Sequence, residues 1–178
     1  MRNIGDLKLE NPFVMAPMAG ITDSPFRLLA REQGASLTFT EMISAKGCYY
    51  NDVTTKSLLH IKEKEGPVGL QLFGSDPEII KIVIEKLNPL NHVLLDINMG
   101  CPVNKVVKNG EGAALMKNRD LAYKVVKAAV EVSEKPVTVK MRLGFDESTI
   151  NVTEFSKAME EAGARAISVH ARTRDMFY

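Results

Sequence analysis

Short, continuous apolar runs alternate with amphipathic stretches along the whole chain. The runs are Phe13–Ala16, Leu37–Thr40, Val68–Phe73, Val93–Asn98, Val137–Met141 and Ala166–His170. Unbroken apolarity over four to six residues, bounded by turn residues, predicts parallel strands buried on both faces. Helix signals lie between the runs. Asp23 followed by Pro25 opens one helix and Gly34 closes it. Ser75 or Asp76, then Pro77, opens a second, whose Ile80, Val83, Ile84 and Leu87 form one apolar stripe. Leu121, Val125, Ala129 and Val132 repeat at helical spacing before Pro136, and Val152, Phe155, Met159 and Ala162 do so before Gly163. A further short helix is predicted around Val53–Leu59.

Strands alternating with helices imply an α/β fold around a parallel sheet. Two architectures share this pattern, an open doubly wound sheet and a (β/α)8 barrel of TIM type. The strand centres recur about every 31 residues, so eight units would need roughly 250 residues, a usual size for such barrels. The chain has 178. If the fold is a barrel, it is incomplete, with about six of the eight units present.

Composition narrows the function classes. The formal net charge is +1, so any contact with nucleic acid depends on local patches. No apolar run is long enough for a membrane span, and Met1–Lys8 has no apolar signal core. Cys48 and Cys101 form no CxxC or zinc-ligand pattern, and a reducing cytoplasm is the expected compartment.

Candidate chemistry collects at strand ends, the edge where both architectures bind ligands. Cys101 lies between Gly100 and Pro102, in a tight turn where a thiol faces a cleft, although a lone cysteine is also a common buried hydrophobe. Lys140 interrupts an apolar strand; it needs an anionic partner or a watery mouth, unless that strand is an edge. Gln71 and Asn98 offer amides suited to the imide edge of a heterocycle, or to structural hydrogen bonds. His170 ends the last strand, as a ligand contact or a hydrogen-bonded core residue. His60 and His92 read as isolated surface residues, and Cys48 as structural. Lys105–Ala114 reads as a loop, and Lys105–Asp120 has four basic and two acidic residues, compatible with a phosphate-bearing substrate or with simple solvation. No P-loop, GxSxG, HExxH or metal-ligand cluster occurs, so no metal is expected. A set of Cys, Lys, Arg, His, Gln and Asn without hydrolytic base or metal suits an organic cofactor that carries the electron chemistry.

The sequence resembles the tRNA-dihydrouridine synthases, most closely their bacterial B-type members. The matching pieces are Ala16-Pro17-Met18-Ala19-Gly20-Ile21-Thr22-Asp23 with Phe26-Arg27, Glu41-Met42, Gln71-Leu72-Phe73-Gly74, and Asp96-Ile97-Asn98-Met99-Gly100-Cys101-Pro102 with Lys105-Val106. Gly112-Ala113-Ala114-Leu115-Met116, Lys140-Met141-Arg142 and Val169-His170-Ala171-Arg172-Thr173-Arg174 follow in the same order.

The resemblance implies a flavoprotein barrel with FMN at its C-terminal mouth and NADPH as reductant, acting on tRNA. By the family's pattern Ala16, Pro17, Met18 and Gln71 contact the flavin ring, Lys140 sits beside it, and His170 lies toward the ribityl phosphate. Asn98 and Arg142 hold the target uracil, and Cys101 is the proton donor. The family continues beyond Arg174 through two more barrel units and a helical tRNA-gripping domain. Residues 1–178 are accordingly expected to be the N-terminal part of the FMN-binding barrel, from a shortened gene product or one whose open edges are covered by self-association. Two rival readings are another FMN barrel acting on a small pyrimidine, as in dihydroorotate dehydrogenases, and a non-catalytic remnant.

Overall fold

The computed structural model describes residues 2–176. Its centre is a curled, parallel half-barrel sheet, flanked by helices on its convex side. An antiparallel hairpin of β1 (Arg2–Ile4) and β2 (Leu7–Leu9) comes first, then α1 (Ser24–Glu32). The short strands β3 (Thr38–Phe39) and β4 (Ile43–Ser44) both pair with β5 (Val68–Phe73), and the helices α2 (Ala45–Tyr49) and α3 (Val53–Leu58) lie between. After β5 come α4 (Pro77–Leu87), β6 (Leu94–Met99), α5 (Asn104–Val107), α6 (Arg119–Val132), β7 (Val137–Arg142), α7 (Val152–Glu161) and β8 (Ala166–His170). The pairing order is β3, β5, β6, β7, β8, all parallel.

The helix ends follow their capping chemistry. Asp23 accepts from the Phe26 N–H and Asp76 from the Glu78 and Ile79 N–H groups, each beside a proline in the first turn. Ile80, Val83, Ile84 and Leu87 of α4 are fully buried, as are Val125, Val126 and Ala129 of α6 and Phe155 and Met159 of α7. They meet Leu70, Leu72, Leu95, Ile97, Met99, Val137, Val139 and Met141, the outward residues of β5 to β7, in one core.

The opposite, inward face is layered by register. Phe39, Gly69 and Leu94 lie side by side at the N-terminal end of the strands. Ile4, Leu7 and Leu9 of the hairpin pack on Leu37, Phe39 and Leu94, so the hairpin forms an apolar floor. Gly69 is required there, since a Cβ would lie 2.5 Å from the Phe39 ring. The next rows toward the C-terminal rim are Gln71, Asp96 and Thr138, then Asn98, Lys140 and Ser168, then Arg142 and His170.

Three expectations are corrected. Phe13–Ala16 forms a single parallel bridge, Val14 to Leu37, rather than a strand, and Phe13 is 71% exposed. With one ladder pair among the described residues, the segment gains too few backbone bonds to continue. Lys105–Ala114 is no plain loop, because α5 and a 3-10 turn at Gly112–Lys117 fold most of it. His92 is buried rather than on the surface, tucked into the turn between α4 and β6, and burial with the nearby Lys135 charge lowers its pKa to about 4.

Candidate active site

Asp96 anchors the site. Its carboxylate is buried between β5 and β7, where Thr138 Oγ1 donates to Oδ1 and Gln71 Nε2 donates to Oδ2, each at 2.6 Å. Burial raises its pKa to about 6, against the pull of Thr138, Gln71 and the Lys140 charge. Gln71 Oε1 in turn accepts from Asn98 Nδ2 at 2.9 Å. Asn98 Oδ1 then accepts the Cys101 N–H at 2.9 Å and the Gly100 N–H at 3.2 Å. A continuous polar chain thus runs from the centre of the sheet to the turn that carries the thiol.

That turn is gripped from several sides. Arg142 Nε donates to the Gly100 carbonyl at 2.6 Å and Nη1 to the Thr173 carbonyl at 2.8 Å. Arg174 donates from Nε to the Pro102 carbonyl at 3.3 Å and lies over the Phe145 ring. Gly112, with φ of +61°, passes so close that a Cβ would lie 2.9 Å from the Cys101 carbonyl oxygen. Cys101 is 8% exposed. Burial raises its thiol pKa and outweighs the Val103 N–H and the Arg142 charge, so the group is protonated at neutral pH.

Lys140 stands beside Asn98 in register, on a strand flanked by β6 and β8 rather than at an edge. It is half-buried, and among the described residues its ammonium has no hydrogen-bond or ion-pair partner. Burial lowers its pKa, opposed by Asp96 and assisted by Arg142. His170 is exposed at the end of β8, beside Arg142 in register; burial of its ring and the charges of Arg142, Lys140 and Arg172 lower its pKa.

Ala16, Pro17 and Met18 occupy a separate turn at the other flank of the sheet. Met18 and Thr22 exchange hydrogen bonds across it, and the Gly20 N–H donates to Glu41, beyond β3. No hydrogen bond joins this turn to Gln71 or Lys140 among the described residues. Lys105, Lys108, Lys117 and Arg119 are exposed, and Lys117 sits 4.3 Å from the Phe145 ring centroid. The structure thus brings Gln71, Asn98, Cys101, Lys140, Arg142 and His170 to one face and rim. Asp96, Thr138 and Arg174 join them, although the sequence reading gave them no role. The available signal was the alternation of Asp96 and Asn98 within an apolar strand, which places two polar groups on one face. No cluster of metal-binding side chains occurs among the described residues.

A family model for dihydrouridine synthases matches residues 14–178. The chain belongs to the dihydrouridine synthase family. It is 37% identical over 176 residues to a probable tRNA-dihydrouridine synthase 1 of Synechocystis, covering 98% of this chain and 49% of that protein. It is 37% identical to a tRNA-dihydrouridine synthase B of Pseudomonas aeruginosa, covering 98% of this chain and 53% of the relative. A probable tRNA-dihydrouridine synthase of Rickettsia conorii is 36% identical, over 100% of this chain and 54% of its own length. The chain spans about half the length of the curated relatives it matches. For a dihydrouridine synthase, the polar face and rim are the C-terminal mouth of the barrel sheet, where the fold places ligands. Among the described residues no helix is long and apolar enough to cross a membrane.

Proposed function

We propose that this chain carries the flavin-binding and proton-donating part of an enzyme that reduces uridine to 5,6-dihydrouridine in tRNA. The observation that carries the reading is the Cys101 turn, held by the Gln71–Asn98 polar chain near Lys140, whose ammonium has no hydrogen-bond or ion-pair partner among the described residues. Residues 1–178 are read as the N-terminal part of an FMN-binding barrel.

The residues present fit FMN. A half-buried ammonium suits an anionic ligand, and Lys140, with no hydrogen-bond or ion-pair partner among the described residues, stands beside Asn98 on the same face as Gln71. Lys140 and Gln71, with the Ala16-Pro17-Met18 turn at the ring and His170 toward the phosphate, would hold the cofactor. When bound, FMN would supply the hydride for carbon 6 of the uracil, with NADPH as the reductant. Cys101 delivers the proton to carbon 5, a general-acid step for which a neutral thiol is the competent form. Asn98 uses one amide hydrogen on Gln71 and keeps the other for a uracil carbonyl, where negative charge develops. Arg142 sets the wall of the uracil site while it fixes the Gly100 carbonyl. The target base must leave its stack to reach this rim, which is least costly in a tRNA loop. The setting proposed is the cytoplasm.

Self-association through the open edges belongs to the same reading. Phe13, Val14 and Leu29 at one flank and Val169 at the other are 41–71% exposed, an apolar surface suited to a second copy.

The test incubates the chain with FMN, NADPH and an unmodified tRNA transcript and measures dihydrouridine by mass spectrometry. Product in the parent, and none in Cys101→Ala at equal flavin loading, is the expected result. Full activity of Cys101→Ala would sink the proton-donor assignment. Turnover of free pyrimidine without reaction on tRNA would favour a small-molecule enzyme, and neither flavin nor turnover a non-catalytic remnant.

A further inference from the structure

We infer that Asp96 is a positioning residue: its carboxylate fixes the donor–acceptor direction of the Gln71 and Asn98 amides and thereby holds the Cys101 turn in place. Its bearing on catalysis rests on the reading of Cys101 as proton donor.

An ionised carboxylate only accepts hydrogen bonds. Thr138 satisfies one oxygen of Asp96, so the other must receive the amino end of Gln71. That leaves the Gln71 carbonyl toward Asn98, which must answer with its own amino end. The Asn98 carbonyl is thereby turned to the N–H groups of Gly100 and Cys101. Each amide has one orientation that satisfies both of its neighbours, and Asp96 selects it for both. With the direction reversed, a carbonyl would face the carboxylate, and two backbone N–H groups would meet an amino group. Both arrangements leave buried polar groups unpaired, which is strongly disfavoured. Lys140 is the charged group that faces Asp96, and it favours the ionised, acceptor-only form.

The register shows why this position suits the task. Asp96 lies beside both Gln71 and Thr138 in its own row, and two residues before Asn98 on its own strand. Direction set at the middle of the sheet is therefore passed to the rim by two amides.

The test is amide hydrogen exchange in the 178-residue chain, read residue by residue by NMR, in the parent, Asp96→Asn and Gln71→Met. An asparagine at 96 also donates, so it no longer dictates which end of Gln71 it meets; a methionine at 71 interrupts the relay with Asp96 intact. The expected result is faster exchange at Gly100 and Cys101, by about tenfold as one hydrogen bond is lost, with Leu95 and Ile97 in β6 unchanged. The Cys101 alkylation rate, followed by peptide mapping, rises in parallel. Unchanged exchange at Gly100 and Cys101, or protection lost evenly along β6 in both variants, would overturn the inference. The measurement needs neither flavin nor tRNA, so failure of the uridine-reduction reading gives a different result from failure of this one.

Discussion

Arg174 Nη2 donates to Asn104 Oδ1 at 2.6 Å, joining the segment after β8 to the first residue of α5, just past the Cys101 turn. The same guanidinium reaches the Pro102 carbonyl, and the Arg174 N–H donates to the Gly144 and Phe145 carbonyls. One residue, through backbone and side chain, thus ties together the segments that follow three adjacent strands. Arg174→Ala is expected to raise the alkylation rate of Cys101 severalfold while lowering stability by only about 1–2 kcal/mol. Peptide-resolved alkylation beside a thermal melt checks this; an unchanged Cys101 rate would remove Arg174 from the architecture of the turn.

Gly112 presses on the same turn from beneath. Its φ of +61° disfavours a side chain, and a Cβ would meet the Cys101 carbonyl oxygen and Val106 at 2.9 Å. Gly112→Ala is expected to lower the melting temperature by several degrees and to weaken the Ala113 N–H bond to the Cys101 carbonyl, 3.0 Å long in the parent. Faster exchange of the Ala113 amide is the specific signature.

Arg27 and Glu65 form a buried pair at 2.6 Å, pinning α1 to the short turn before β5. Burial alone would raise the Glu65 pKa, but Arg27, the Ser24 hydroxyl and the Lys62 N–H hold it below its ordinary value. The pair therefore stabilises above the ordinary carboxylate range, and that contribution is lost as pH falls through it. Glu65→Gln leaves a buried guanidinium without its counter-charge and is expected to cost about 3–5 kcal/mol in urea unfolding at neutral pH. Replacing both residues by methionine is expected to recover much of that loss. A Glu65→Gln variant as stable as the parent would contradict the assignment.

Asp96 and His92 titrate against each other. Burial raises the Asp96 pKa from 3.8 to about 6, so the native state keeps a proton that the unfolded chain releases, and stability falls as pH rises through that window. Burial lowers the His92 pKa from 6.5 to about 4, so the unfolded chain holds the extra proton and stability rises with pH. Each contribution is roughly 3 kcal/mol, and over their common window they oppose. Asp96→Asn is expected to leave the His92 slope exposed, so the variant gains about 3 kcal/mol on the parent between pH 4 and 6.5. Parallel stability curves for the two proteins would contradict this.

The strands β5 to β8 and the larger helices were legible because each has a periodicity and caps contained within its own stretch of chain. Phe13–Ala16 misled because apolarity alone does not make a strand: among the described residues it forms a single ladder pair, Val14 with Leu37. His92 misled because nothing local in the sequence shows that a polar turn is covered. Cys101, Lys140 and Asn98 stood out through their neighbours in sequence. Asp96 did not, since its partners Gln71 and Thr138 lie 25 and 42 positions away and become neighbours only when three strands come into register.

The hairpin beneath the sheet has a consequence for the order in which the molecule is built. Ile4, Leu7 and Leu9 leave the ribosome well before Leu94, yet the surface they cover includes it. Until β6 has been synthesised and paired, that surface is incomplete. The hairpin must therefore wait for β6, and contacts of such long sequence separation close late because the intervening chain must be ordered first. The floor is thus a seal applied after the sheet has formed, and any chaperone that holds the nascent chain meets these three apolar side chains uncovered.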